Sequence, residues 1–424
     1  MPASDPVMHQ LVNHLFRQES GKMIAVLTNI LGFGQYETAE DLVQDTLLQA
    51  MNTWSYGGIP EKPEAWLYRV AHNKAIDLIR RKKRFWELTP AYAHLLESEW
   101  TDAEKSQQIF LENEIQDSQL RMIFACCHPA IPPESQVAFV LKTLCGLSVR
   151  EIARAFLSPE ETISKRIYRA KEKIKTAGIA LTVPQGNELP DRMDAVLTCL
   201  YLLFNEGYNS SHPEMLIRED LCYEAMRLCY LLTENKQTAF PRCKALLSLF
   251  CFQASRLRAR LDDKGNIILI KYQDRSQWSK PLIQKGYQYL VAGAEPFSIS
   301  PYHLEAAIAS LHAVSPSFEK TDWKAIHQLY EKLYALQPGP VVAMNKAIAS
   351  AYALSKEQAL IELAAIKGLD KNHLYYASMG ELYMELNEPG KAKNLFEKAL
   401  SLTDSLPEQQ LLLAKISVCQ SELS

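Results

Sequence analysis

Three groups of side chains have the types and spacing that binding chemistry needs. The first holds Trp66, Arg69, Asn73, Lys74, Asp77, Arg80 and Arg81. Trp66, Arg69, Asn73, Asp77, Arg80 and Arg84 recur at steps of three and four, which puts them on one face of a helix. Such a face suits nucleic acid: guanidinium and ammonium groups neutralise phosphates, an asparagine can read a base edge, and an indole can stack on an unpaired base. The plainer reading buries Trp66 in a core and leaves the basic run in water. The second group is Thr162, Ser164, Lys165, Arg166, Arg169 and Lys173, away from an apolar stripe at Ile163, Ile167, Ala170 and Ile174. The third is Asp41, Gln44, Asp45 and Leu48, an acidic stripe beside a ridge of Val43, Leu47, Ala50 and Trp54. It can dock on a basic partner helix or simply face solvent.

Helices must position all three groups. The ridge spacing predicts a helix over Ala39–Trp54. Gly57, Gly58 and Pro60 read as a loop, and Pro63 opens a second helix over Glu64–Arg84, at the position where a helix tolerates proline. Further on, Ser148-Val149-Arg150-Glu151 is a capping box, and Ser158-Pro159-Glu160-Glu161 reads as another with proline at the first helical position. Each predicts a helix start, with only a short turn around Leu157 between the two helices. Ile152 and Phe156 face inward on the first of them. The pair reads as a helix-turn-helix whose second member can enter the major groove. The alternative is a structural helix pair that touches no DNA.

Charge is distributed unevenly. Glu61–Arg84 carries eight lysines and arginines against three acids, Glu87–Asp117 eight acids against one base, and Ser148–Ala177 eight bases against four acids. Single charge runs are usually solvated faces. A basic–acidic–basic order, in a chain whose formal net charge is −3, leaves local positive fields that attract phosphate.

Three stretches carry a family resemblance: residues 41–50 (DLVQDTLLQA), 65–81 (AWLYRVAHNKAIDLIRR) and 146–156 (GLSVREIARAF). In that order they resemble the extracytoplasmic-function sigma factors, small bacterial initiation factors of the sigma-70 family. The resemblance implies partners, core RNA polymerase and promoter DNA, and roles. Asp41, Gln44, Asp45 and Leu48 match the helix that docks on the polymerase largest subunit. Trp66, Arg69, Asn73, Lys74, Asp77, Arg80 and Arg81 fall on the helix that reads and opens the −10 element. Thr162, Ser164, Lys165, Arg166, Arg169 and Lys173 fall on the −35 recognition helix. The implied layout is region 2 over 8–86, an acidic linker over 87–117 and region 4 over 118–180. The loop at residues 55–62 (SYGGIPEK) departs from the family pattern.

A minimal member would stop near Gly178, and this chain of 424 residues continues for more than half its length. Residues 183–190 (VPQGNELP) read as a linker and 190–300 as a helical extension, with apolar stretches at Ala195–Phe204 and Ala245–Phe252. Gly207 reads as a helix C-cap. Ile267–Tyr272, after a turn at Asp263–Asn266, is a strand signal, giving a small hairpin at most. Over 301–424, Ala325, Ala359 and Ala392 are 34 and 33 residues apart, as are Leu329, Leu363 and Phe396. Gly380, Tyr383 and Ala399 in the last copy resemble tetratricopeptide repeats, helical pairs that bind a protein or peptide on a concave surface. The fold class expected is all-α: two sigma-type helical DNA-binding domains, then a helical extension ending in tetratricopeptide-like repeats. The extension is expected to modulate activity.

Other chemistry is set aside. Cys126-Cys127-His128 has no second ligand pair at zinc spacing, so no metal is expected and the thiols read as buried. Ser20-Gly21-Lys22 lacks the rest of a phosphate loop, and no nucleophile–base arrangement is recognisable, so neither a cofactor nor an enzyme is expected. A 47% hydrophobic, 22% charged composition is that of a folded protein. No apolar run approaches the ~20 residues that span a bilayer, and no signal-peptide core is present. Nine cysteines without a CxxC pair fit thiols kept reduced, and a cytoplasmic location is expected, away from membranes. Two rival functions remain: a helix-turn-helix regulator that is not part of polymerase, and a repeat scaffold with a vestigial DNA-binding domain.

Overall fold

A computed structural model describes residues 6–87, 112–156, 158–184, 186, 188–210, 216–295 and 299–423. Most of the acidic linker 87–117 and the turn residue Leu157 lie outside them. The described residues form two compact units, divided between Leu203 and Phe204. Among them there is no β-strand, and no helix is long and apolar enough to cross a membrane.

The first unit contains α1 (Pro6–Leu31), α2 (Tyr36–Gly57), α3 (Pro63–Glu87), α4 (Glu112–Cys126), α5 (Pro133–Thr143), α6 (Val149–Ala155) and α7 (Glu160–Ala177). It also holds most of α8 (Glu188–Tyr208). Val43 and Ala50 of α2 and Leu67, Ala71 and Ala75 of α3 leave water at helical spacing while their opposite faces stay wet, whereas Met23–Thr28 of α1 and Ser135–Leu141 of α5 are buried continuously and form the centre of the unit. Proline starts four of these helices or stands just before them, where its missing N–H costs nothing. Cys126 and Cys127 are fully enclosed, and burial pushes the Cys126 thiol well above its usual value, which keeps it protonated. The backbone carbonyl of Phe124 accepts from Arg192 of α8 at 3.3 Å. The first unit therefore extends past Gly178, where a minimal factor was expected to stop.

The second unit holds the end of α8 and then α9 (Glu219–Glu234), α10 (Pro241–Ala254), α11 (Lys280–Ala292), α12 (Pro301–Val314), α13 (Trp323–Leu336) and α14 (Pro340–Ala353). It closes with α15 (Lys356–Ala364), α16 (His373–Glu385), α17 (Pro389–Leu400) and α18 (Leu406–Leu423). Phe204 and Phe250 stack with ring centres 4.3 Å apart in its core. From α13 onward successive helices pack as neighbours, and Ala325, Ala359 and Ala392 each fall in the first turn of an alternate helix, α13, α15 and α17. A Cβ on Gly380 of α16 would lie 2.6 Å from the Phe396 ring of α17, so the glycine admits the fully buried phenylalanine.

Three local expectations are corrected. Ile267–Tyr272 is not a strand: Leu261 and Ile267 make one antiparallel bridge, and Ile270–Tyr272 is a 3₁₀ turn. Asp262 accepts from the backbone N–H of Lys264 and Asn266 and tightens the turn, while Lys271 pairs with Glu385 at 2.7 Å. With no ladder partner beyond Leu261, the β-branched run cannot satisfy its backbone as a strand. Gly207 is not a C-cap, since α8 continues to Tyr208; its missing Cβ would meet Cys222 N at 2.7 Å and Arg218 O at 2.8 Å. The Ser158 box does not form either. The Ser158 hydroxyl donates back to Phe156 O at 3.2 Å, and Pro159 caps α7 without a side-chain bond.

His312 offers a test of the second unit. Burial first, then the nearby Arg256 and Arg275, hold its imidazole down to about 3, and Arg275 donates to its carbonyl at 2.7 Å. The unfolded chain takes up that proton near pH ~6.5 and the folded chain only near 3. Between those values the unfolded state binds more protons, so stability falls as pH falls, by at most ~1.4 kcal/mol per pH unit. His312→Phe keeps a ring against Trp323 and is expected to flatten this component. Urea midpoints for wild type and variant from pH 7 to 4 check it.

Candidate nucleic-acid interface

The α3 stripe is held by a knot of aromatic rings. Trp54 near the end of α2 lies 5.7 Å from Phe16 of α1 and 5.5 Å, edge-on, from Trp66 of α3. Two residues further along α3, the Tyr68 hydroxyl donates to Glu19 of α1, and Glu19 pairs with Lys22 at 2.9 Å. With α3 so fixed, Arg69, Asn73, Asp77, Arg80 and Arg81 are exposed, while Lys74 is half-buried. Trp66 is half-buried at the rim, one edge packed on Trp54. The reading that buries this tryptophan in a core thus holds in part. The side chain of Arg84 lies outside the described residues.

On α2, Asp41, Gln44 and Asp45 are exposed and Leu48 is 58% exposed, whereas Val43, Ala50 and Trp54 are buried. Met51 continues the wet side of α2, and Tyr56 stands 96% exposed beside Gly57. An acidic stripe bearing exposed leucine and methionine is costly in water and useful against another protein. Periodicity found Leu48. It passed over Tyr56, whose only signal was an aromatic residue next to a glycine pair.

The helix-turn-helix is built by local bonds. Ser148 N–H donates to Glu151 at 2.7 Å and Glu151 N–H to the Ser148 hydroxyl at 3.2 Å, the expected reciprocal cap of α6. Ile152, Ile163, Ile167, Ala170 and Ile174 are buried, which fixes the face that α7 presents. Ser164, Lys165, Arg169 and Lys173 are exposed and Thr162 is half-buried. Lys165 spans one turn to Glu161 at 2.7 Å, a solvent-exposed pair of little weight. Arg166 differs from the rest. It pairs with Glu134 of α5 at 2.8 Å, lies over the Phe156 ring and keeps 18% exposure. Tyr168, 65% exposed between Lys165 and Arg169, was missed because it sits off the isoleucine stripe.

Helices α3 and α7 belong to one packed unit. Lys171 of α7 pairs with Glu40 at 3.0 Å and approaches Glu37 at 3.9 Å, both on α2, and lies over the Tyr36 ring. Tyr36 meets Phe139 of α5 edge-on at 5.1 Å, and both are buried.

Family models match this architecture. Residues 15–85 match sigma-70 region 2 and residues 121–174 match sigma-70 region 4. Residues 192–294 match a family of unknown function (DUF6596). An uncharacterized protein of Rhizobium meliloti (strain 1021) is 36% identical over 378 residues, covering 89% of this chain and 88% of that protein. The ECF RNA polymerase sigma factor SigW of Bacillus subtilis is 27% identical over 151 residues, 34% of this chain and 76% of SigW. SigE of Mycolicibacterium smegmatis, also an ECF RNA polymerase sigma factor, is 28% identical over 177 residues, 41% of this chain and 61% of its own. No solved structure matches. With regions 2 and 4 both matched in order, and the relatives that share them, the chain belongs to the extracytoplasmic-function sigma factors of the sigma-70 family and carries a long helical C-terminal extension.

Proposed function

We propose that this alternative sigma factor, which directs transcription initiation, divides its work among the three exposed faces and is modulated by its own extension. The observation that carries the reading is the exposed stripe Arg69, Asn73, Asp77 and Arg80 on a helix locked by the Trp54 knot. A fixed helix with cations, an amide and a carboxylate in line can neutralise phosphate and hydrogen-bond base edges. Arg81 and the half-buried Lys74 add charge at its margin, and the part of the Trp66 ring left in solvent offers a stacking surface for an unpaired base at −10.

On α7, Thr162, Ser164, Lys165, Arg169 and Lys173 hold the duplex at −35, with Tyr168 supplying apolar contact to thymine methyls. Arg166 acts mainly by fixing α7 to Glu134. Asp41, Gln44, Asp45 and Leu48, with Met51, receive core polymerase, the acids steering a basic partner helix and the apolar groups closing against it. The stacked helical pairs from α12 onward serve as tetratricopeptide-like repeats whose occupant is a protein or peptide. The function is regulatory rather than enzymatic, and its place is the cytoplasm.

Salt titration of promoter binding by the holoenzyme separates these roles. Arg169→Ala and Lys173→Ala are each expected to weaken binding and lower the salt slope by about one. Arg166→Ala should leave the slope nearly unchanged and lower the melting temperature instead. Leu48→Arg is expected to reduce affinity for core polymerase about tenfold or more with unchanged melting, read by interferometry. Run-off transcription comparing the full chain with one ending after Tyr208 measures the sign of the extension's effect. Equal rates from the two would remove modulation by the extension.

A further inference from the structure

We propose that the second unit carries a binding site for a small organic acid, a carboxylate on an apolar body, in the cleft between the turn at Arg275–Trp278, α11 and the end of α12. The site stands on its own geometry, and its use as an effector site of the extension rests on the sigma-factor reading above. The cleft has a volume of about 570 Å³, within the range of small-molecule pockets. Arg275 and Trp278 line its cationic end. They belong to one 3₁₀ turn, Arg275–Gln277 with Trp278 as its cap, in which side chains three residues apart stand one above the other. Asp274 fixes the turn by accepting from Ser276 N–H at 2.8 Å. The Arg275 guanidinium therefore lies over the Trp278 indole, 4.1 Å from the ring centre.

Two N–H groups at this end lack the partner that burial demands. Arg275 donates to His312 O at 2.7 Å through Nη1, but its Nη2 is buried with no hydrogen-bond partner among the described residues. Trp278 is 4% exposed, and its Nε1–H is likewise buried and unpartnered. Buried donors are nearly always paired, so two of them on stacked side chains of one cleft mark the place of an acceptor with two oxygens. The surroundings set its charge. Arg256 lies 5.9 Å from the same indole ring, and Lys280 stands exposed on the cleft wall. Arg256 and Arg275 add to burial in keeping His312 uncharged, the mark of a positive field. Asp274 is engaged in the turn, and Glu319 is exposed and hydrogen-bonded at Ser317. The rest of the cleft is apolar: Ile283 and Tyr287, one turn apart on α11, face Ala313, Val314 and Pro316. An inorganic anion would leave that wall in water, whereas a carboxylate on an aliphatic or aromatic body covers it.

Calorimetry on the full chain, with phenylacetate as the probe, tests the site. A Kd of about 0.1–1 mM is expected for so small a ligand. Binding about tenfold weaker or less is expected for 2-phenylethanol, which lacks the carboxylate, and for inorganic phosphate, which lacks the ring. Arg275→Gln should abolish binding and, because Arg275 also holds His312 O, lower the melting temperature. Val314→Glu separates the two effects. Val314 is 65% exposed, so its replacement should leave melting unchanged while a carboxylate on the cleft wall repels the probe and weakens binding about tenfold or more. No phenylacetate binding by the folded chain overturns the site. So does phosphate or 2-phenylethanol binding as tightly as phenylacetate, or undiminished binding by Val314→Glu. Run-off transcription at saturating phenylacetate then reads its use: the rate is expected to change in the wild type and not in Val314→Glu. Binding with an unchanged rate would overturn the effector role. A chain that binds phenylacetate yet initiates nowhere with core polymerase would instead count against the sigma-factor reading.

Discussion

The indole of Trp54 is where three helices of region 2 meet, with Phe16 on one side and Trp66 on the other. Large aromatic groups bury the most area per residue, and a buried pair adds specific edge geometry to that area. The knot helps to set the rotation of α3, whose fully buried residues are mostly small: Ala71 and Ala75 beside Leu67. Rotation is what decides whether Arg69, Asn73, Asp77 and Arg80 form a line facing solvent. The exposed chemistry of the helix is therefore fixed by packing on its opposite side.

Region 4 obtains the same result by different means. Its first short helix is capped reciprocally by Ser148 and Glu151, and its second is anchored by four buried aliphatic positions and by Arg166. A guanidinium that neutralises Glu134 and covers Phe156 is fastening two helices together, whatever its charge suggests in one dimension. Only the arginine is shielded, since Glu134 is 72% exposed, so the contribution comes more from packing of the arginine stem than from Coulomb attraction.

What was legible in the sequence was whatever depends on neighbours within one turn or on a helical period. The buried ridge of α2, the start of α3 at Pro63, the Ser148 cap and the stripe from Ile163 to Ile174 all follow from residues three or four apart. Illegible features depend on an atom far along the chain. Gly207 resembled a terminator because its reason for being glycine is the N-terminal turn of α9. The Ile267–Tyr272 run had the composition of a strand, and only the fold reveals that it lacks a ladder partner. Arg166 and Arg169 are indistinguishable until Glu134 is placed beside one of them. Lys171 stood outside the candidate groups, because its acids lie 131 residues upstream in the case of Glu40.

Gly21, Gly207 and Gly380 share one property: each sits inside a helix with a foreign heavy atom closer than 3.0 Å to where its Cβ would be. Anyone engineering a hardier version of this protein would begin by exchanging helical glycines for alanine, a substitution that usually raises thermal tolerance. Here that recipe would select for wedges. At Gly207 and Gly380 the wedge would pry apart helices that hold the extension together. At Gly21 it would strike the Leu144 backbone, so a heat-tolerance screen at that site would discard the very substitution that helix propensity recommends.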